Sequence, residues 1–290
     1  MHTSVLLLFA AWLPAQAPVP SPAAPQELPA DLLALAGRVE AAHRPGGPVP
    51  KVTALKAAME LHLLEKKSEQ RGQVDLLLDY LEWQRPGGKR PATLLRYEVR
   101  DAGSPVVRGR DREGPWQLVA GEPRDLTSAD ATQDLAAFER HGNLVKQLVR
   151  FLSPGDVLRA LQKAGPVADE ELELRRTRIP CQTVSGQLPA FPLLQQAGED
   201  APVELKIWVD KASGRLLAVD AWLLKDGQKD AARGERIVLD KLEARDGLLV
   251  PLELMHLFRQ ADGSLALQSR ALLTKLSLRP ELRAEDFDRK

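Results

Sequence analysis

Cysteine, paired histidines, aromatic side chains and an excess of either charge are all scarce in this chain, and each shortage removes a class of function. One Cys in 290 residues leaves no disulfide framework and no Cys-rich zinc site. The five His stand apart, without the His-x-x-x-His or His-Glu spacing that gathers ligands for a catalytic zinc. His43, His62, His141 and His256 therefore read as surface or strand residues. Aromatic residues make up 4% of the chain, thin for the cleft of a glycosidase. Asp169-Glu170-Glu171 reads as a solvated loop rather than an acid/base pair. The 40 Lys+Arg match 40 Asp+Glu for a formal net charge of +0, so the cation surplus that displaces phosphate counterions is missing and nucleic acid is not expected as a partner. There is no Gly-x-Ser-x-Gly elbow, Walker loop or Gly-x-Gly-x-x-Gly turn. Cys181 has no nucleophile signature around it and reads as a buried structural thiol. No catalytic residue, metal or cofactor is expected, and the chain does not read as an enzyme.

Long apolar runs are short of membrane length. Residues 5–13 (VLLLFAAWL) are uncharged, but a spanning helix needs about 20 apolar residues. The run suits the core of a signal peptide, followed by Ala15-Gln16-Ala17, and no Asp, Glu, Lys or Arg precedes Glu27. Against it stand the absence of Lys and Arg in residues 1–4 and the position of Pro18 just after the cut; the competing reading is a buried amino-terminal strand or helix. Pro18, Pro20, Pro22, Pro25 and Pro29 favour an extended backbone that buries no core. The organisation read from this is a signal peptide over 1–17, a Pro/Ala-rich linker over 18–30 and a single domain over 31–290. The mature chain is expected to be periplasmic or secreted, monomeric and without an integral membrane span.

What the chain has in quantity is apolar periodicity, with 44% hydrophobic residues. Leu32, Leu35, Ala36 and Val39 form one helical stripe after Asp31, a candidate cap. The period then falls to two. Leu55, Ala57, Met59, Leu61 and Leu63 alternate with Lys56, Glu60 and His62; Val74, Leu76, Leu78 and Tyr80 repeat the pattern, as do Leu95, Tyr97 and Val99. Trp116, Leu118 and Ala120 mark a shorter strand. Towards the carboxy terminus Val203, Leu205, Ile207 and Val209 turn at Lys211-Ala212-Ser213-Gly214 and return as Leu217, Val219, Ala221 and Leu223. Residues 237–243, 248–258 and 264–278 follow as strands, and Asp226-Gly227, Asp246-Gly247 and Asp262-Gly263 read as hairpin turns. Between these groups lie helices over 131–140 and 144–152, then one from Ser153-Pro154 to Gly165. Residues 172–179 and 181–184 read as strands and 186–201 as a loop. The role of 166–201 stays open. Arg175-Arg176-Thr177-Arg178 offers either an anion-binding cluster or the outer face of a strand.

The fold class expected is α+β, mostly antiparallel β: a curved half-barrel sheet of roughly nine to eleven strands wrapped around central helices near 129–165. The sheet's apolar face and the helices must bury each other. If curvature leaves a hollow between them, apolar ligands can enter it; a filled core is the alternative. Leu61, Leu76, Leu78, Tyr97, Leu205, Val219 and Leu254 are the candidate lining residues.

Short motifs resemble the bacterial lipoprotein-carrier superfamily. They are Trp83-Gln84-Arg85-Pro86, Asp111-Arg112-Glu113-Gly114-Pro115-Trp116 and Ile207 to Gly214. With them go Asp246-Gly247-Leu248-Leu249-Val250-Pro251 and the closing Leu276-Ser277-Leu278 and Phe287. The resemblance covers roughly residues 31–290, in the order of elements. It implies a half-open barrel with helices as a lid over an apolar cavity, an acyl chain of lipid or lipoprotein as ligand, and lid control by Arg85. The superfamily also holds envelope stress sensors, so a scaffold or sensor that binds an envelope protein partner is the alternative function.

Overall fold

The computed structural model describes residues 28–50, 52–63, 68–77, 94–100, 105–111, 113–127, 131–194 and 201–289. The proposed signal peptide and nearly all of the linker lie outside these residues. The chain opens with α1 (Ala30–His43), whose buried stripe is Leu32, Leu35, Ala36, Val39 and His43. Pro29 holds the cap position; the Asp31 carboxylate instead accepts the Leu32 and Val167 amides at 2.9 and 3.0 Å, tying the helix start to the later chain.

Six strands follow: β1 (Ala54–Leu63), β2 (Ser68–Leu77), β3 (Leu94–Arg100), β4 (Pro105–Arg110), β5 (Pro115–Val119) and β6 (Glu122–Asp125). Helices α2 (Thr132–Phe151) and α3 (Pro154–Arg159) come next. Seven further strands complete the fold: β7 (Ala168–Leu174), β8 (Thr177–Phe191), β9 (Ala201–Asp210), β10 (Leu216–Lys225), β11 (Gln228–Arg245), β12 (Leu248–Arg259) and β13 (Leu265–Leu278). All join one 13-stranded sheet in the order β6-β5-β4-β3-β2-β1-β13-β12-β11-β10-β9-β8-β7. Each run of strands is a meander, and β1 pairs antiparallel with β13 to join the two runs into one sheet. The ends, β6 and β7, do not pair with each other, so the sheet is open.

The expected class holds, with corrections. Among the described residues the strands number 13. The segment read as a loop over 186–201 begins as strand, because β8 runs to Phe191. Its ladder with β9 shifts register between Leu188 and Phe191, the place where Pro189 cannot donate. The two helices expected over 131–152 are one. Gly142 does not break α2; it brings the helix onto β3, where an added Cβ would stand 3.4 Å from the Leu95 side chain. The next helix is short and ends at Arg159. The Asp226-Gly227 and Asp246-Gly247 turns take positive φ at both residues (52° and 76°; 47° and 80°), the twist that two-residue hairpins need.

Alternation divides the sheet into two faces. Leu55, Tyr97, Leu205, Val219, Ile237 and Leu254 point to the face that packs on α1, α2 and α3, in one continuous core. Tyr97 of β3 stacks on Phe138 of α2 at 5.7 Å, and Phe191 of β8 meets Phe151 at the other end of the helix at 6.5 Å. Eight strand spacings separate β3 from β8, about 38 Å on a flat sheet, whereas the two Phe are about 20 Å apart along the helix axis. The sheet therefore bends around α2, which lies across it. The outer face carries a smaller cluster of Leu172, Cys181, Trp208, Ala218 and Val238.

Candidate functional site

Five of the seven expected lining residues fall on the inner face. Leu61, Tyr97, Leu205, Val219 and Leu254 are buried in the same core as the α2 side chains Phe138, Leu144, Leu148 and Phe151. Leu76 occupies the register position between Leu55 of β1 and Leu95 of β3. Leu78 and Arg85 lie outside the described residues. The site these residues define is the interior between the bent sheet and α2.

That interior contains a polar cluster in the middle of apolar rows. Gln147 and Asn143 of α2 are buried, as are Glu235 of β11, His256 of β12 and Ser269 of β13. The Gln147 amide nitrogen donates to the Pro192 carbonyl at 2.7 Å and to Glu235 Oε1 at 2.9 Å. Its oxygen then needs a donor, which is His256 Nε2 at 2.7 Å. The proton therefore sits on Nε2, and Nδ1 accepts from Ser269 Oγ at 3.4 Å. Burial holds the His256 pKa at about 3, so the ring is neutral at ordinary pH. Glu235 Oε2 accepts the Leu194 amide at 3.0 Å, and Asn143 Nδ2 donates to the Leu193 carbonyl at 2.9 Å. The cluster thus couples α2, three strands and the segment after β8.

The first half of α2 is held differently. Asp134 accepts from Arg108 and from Gln117, both at 2.8 Å, and Glu139 pairs with Arg110 at 2.9 Å. Burial would raise the Asp134 pKa, but the bonds from Gln117 and Arg108 outweigh it and hold the carboxyl below its usual value. Tyr97 stacks on Phe138 and lies 5.2 Å from the His141 ring; burial pushes its phenol pKa up, with Arg108 beside it partly opposing. Burial likewise lowers His141 and His43 to about 4. His43, at the end of α1, accepts the Leu216 amide through Nε2 at 3.0 Å.

Two sequence expectations change here. His43 is neither a surface nor a strand residue but a buried residue at the end of α1, and His256 is a strand residue whose side chain is buried in β12. Arg175 and Arg176 form the β7–β8 turn at positive φ (48° and 68°), and Arg175 pairs with Asp240 at 2.7 Å. With Arg270 and Lys241 it surrounds the buried Glu253, so Arg175 is committed to ion pairs on the outer face. Asp169, Glu170 and Glu171 pair with Lys211, Lys206 and Arg178, as a solvated strand edge would. Cys181 is buried, and burial raises its thiol pKa. Among the described residues no three His, Cys, Asp or Glu gather as metal ligands. No described helix is long and apolar enough to cross a membrane.

Sequence reasoning passed over Gln147, Glu235, His256 and Ser269. The signal was present: His256 shares the inner row of Val250 and Leu254, and Glu235 that of Ile237 and Leu239. A polar residue at an apolar-row position is the deviation to look for. A separate groove of ≈ 490 Å³ runs along α1, lined by Asp31, Leu35, Arg38, Val167, Asp169 and Gln182, and uses none of the expected residues.

No family model and no curated protein matches the chain. Among solved structures it is similar to a DUF1329 family protein from Desulfovibrio piger, with TM-score 0.44 and 12% identity over 89% of this chain and 95% of that one. It is also similar to a putative outer membrane lipoprotein-sorting protein domain from Vibrio parahaemolyticus, with TM-score 0.41 and 12% identity over 88% and 95% of the two chains. A LolA superfamily protein from Nitrosomonas europaea gives 0.34 and 10% over 89% and 97%.

Proposed function

We propose that this is an exported, non-enzymatic binding protein that holds the acyl chains of a lipid or lipoprotein between its bent sheet and α2. The observation that carries the reading is the construction of the interior. One open sheet presents a continuous apolar face, and one helix lies across it, attached by side chains rather than by closure of the sheet. Displacing such a helix uncovers apolar surface without breaking a strand ladder. Each acyl methylene that replaces water on that surface contributes about 0.8 kcal/mol. In this reading Leu61, Leu76, Leu78, Tyr97, Leu205, Val219 and Leu254 meet the chain, and Arg85 controls the lid. The protein works as a monomer in the periplasm or outside the cell. Native mass spectrometry after gentle purification tests it: a co-purifying lipid, or uptake of an apolar dye that a long-chain lipid displaces, is the expected result. Absence of both overturns the reading.

A second reading is an envelope scaffold or sensor that binds a protein partner. Among the described residues nothing pairs with the outer edge of β7, and this favours it, because an edge strand can accept another. A stoichiometric partner recovered from envelope extract, combined with no lipid uptake, would favour this reading over the first.

A further inference from the structure

We propose that the open edge of β7 is a docking strand for an extended segment of a protein partner in which Lys or Arg alternates with aliphatic residues. The inference rests on the protein-partner reading, which it deepens, and is independent of acyl-chain binding.

The direction of the β7 backbone follows from its neighbours. The Pro180 carbonyl of β8 accepts the amide of Lys211, just after β9, at 3.0 Å. In a strand the N–H and C=O of one residue point the same way, so Pro180 turns its backbone towards β9 and away from β7, where it has no hydrogen to give. Its partner Glu171 therefore stands in a non-hydrogen-bonded pair and aims its own N–H and C=O outward, away from β8. By alternation Asp169 and Glu173 do the same, as does Val167 at the entry to the strand. The Val167 amide is met from that outer side by Asp31 at 3.0 Å. Beyond this bond the edge is uncovered. Among the described residues nothing pairs with the outer side of β7, and Asp169, Glu171 and Glu173 are exposed. The other end of the sheet is a poorer template, because β6 has four residues and carries Pro123, which cannot donate.

Side chains then select the partner. Asp169, Glu171 and Glu173 share one face, and the groove along α1 lies beside the first of them. On this side four carboxylates, those of Asp31, Asp169, Glu171 and Glu173, meet three cations, Arg38, Lys211 and Arg178. An incoming antiparallel strand forms hydrogen-bonded pairs with the outward residues. Its residues opposite the three carboxylates therefore lie on their face, where opposite charge is favoured. The residues between lie on the other face, beside Leu172 and Leu174 at the margin of the outer apolar cluster. Aliphatic side chains there extend that cluster. A second copy of this chain does not fit. In an antiparallel pairing the outward residues of two β7 strands face each other, which sets carboxylate against carboxylate. The charge thus rejects self-pairing and admits a basic strand.

The experiment measures binding of fluorescently labelled peptides to the full chain by anisotropy. The probes are Lys-Val-Lys-Val-Lys, its block isomer Lys-Lys-Lys-Val-Val, and Glu-Val-Glu-Val-Glu, each capped at both ends. The alternating basic peptide is expected to bind about tenfold or more tighter than either of the others. N-methylation of its central Lys, which removes an amide directed at β7, should weaken it about tenfold, whereas N-methylation of the next Val should change it by less than about twofold. Glu171→Pro removes one outward donor and no bond between β7 and β8, so the fold should persist while the peptide no longer binds. Glu171→Lys should weaken Lys-Val-Lys-Val-Lys about tenfold and favour Glu-Val-Glu-Val-Glu. Should Glu171→Pro fail to fold by circular dichroism, Glu171→Lys and the methylated peptides decide the matter. Equal binding of the alternating and block peptides, or binding that both variants leave untouched, overturns the inference. A partner recovered from envelope extract equally by wild type and by Glu171→Pro also overturns it, while the protein-partner reading stands. No partner from extract together with no peptide binding removes both.

Discussion

In its first half, α2 meets β4 and β5 through charge: Asp134 on Arg108 and Gln117, and Glu139 on Arg110, at the partly solvated margin of the sheet. In its second half it meets β11, β12 and β13 through neutral groups of Gln147, His256 and Ser269 and the Glu235 carboxylate, all buried. Ion pairs at a margin reform easily after they break, because water and salt share the charges. A buried network must be exchanged as a whole, since any member left alone loses solvation and partner together. The contrast assigns the two ends of the helix different roles. If α2 opens as proposed, the first half is a tether that can rearrange and the second is a latch that must be released as a whole.

Acid should break the His256 network under the second half of α2 and the His43 anchor at the end of α1 most severely. Burial holds His256 at about 3 and His43 at about 4, with Arg215 adding to the effect at His43. An unfolded His titrates near 6.5. Between these values the unfolded chain binds the proton and the folded chain does not. Stability therefore rises with pH across the window, and is lost as pH falls from about 6.5 towards 4, by on the order of 3 kcal/mol for each ring. His141 is half-buried and adds less. Urea unfolding at pH 7 and at pH 4.5 reads this directly. An unchanged midpoint would mean that the two rings are not held neutral.

The apolar anchors should not distinguish the halves. Phe138 and Phe151 are both fully buried, one against Tyr97 and the other against Phe191. Each Phe→Ala change is expected to cost about 3–5 kcal/mol. Denaturant midpoints that fell far more for one than for the other would place the asymmetry in packing instead of polarity.

Much of this architecture was legible in alternation. Leu55 to Leu61, Val203 to Val209 and the Asp-Gly hairpins predict β1, β9 and the carboxy-terminal meander, because one buried face enforces period two. What escaped was structure imposed by neighbours. Residues 105–110 (PVVRGR) and 122–125 (EPRD) carry no alternating signal; they are strands because β3 and β5 offer them backbone partners. His141-Gly142-Asn143 looks like a helix break in one dimension and is a close contact with β3 in three. The apolar lining of the site was readable for the same reason as the strands. The polar cluster was legible only in part: the rows place Glu235 and His256 inward on the two arms of the Asp246-Gly247 hairpin, but nothing in one dimension shows that Gln147 of α2 meets them.

His256→Leu tests the latch by itself. The larger side chain keeps the volume apolar and leaves the Gln147 carbonyl without its donor. A loss of about 1–3 kcal/mol is expected, together with a shallower fall in stability between pH 6.5 and 4, because one of the three depressed rings is gone. A loss without any change in the pH slope would separate packing from protonation at this position.

The smallest effect should come from the tether. Asp134→Asn and Glu139→Gln each remove one partner of an ion pair at the sheet margin, and each is expected to cost less than about 1 kcal/mol. Raising salt from about 0.05 M to about 0.5 M should shrink even that difference between wild type and variants, because the screening length falls well below 10 Å. The same salt step should leave the difference caused by His256→Leu unchanged, since the network it disturbs is shielded from solvent ions. A cost at Asp134 that is large and insensitive to salt would show both halves of α2 to be latched in the same way, and opening would then have to begin elsewhere than at the amino-terminal half of the helix.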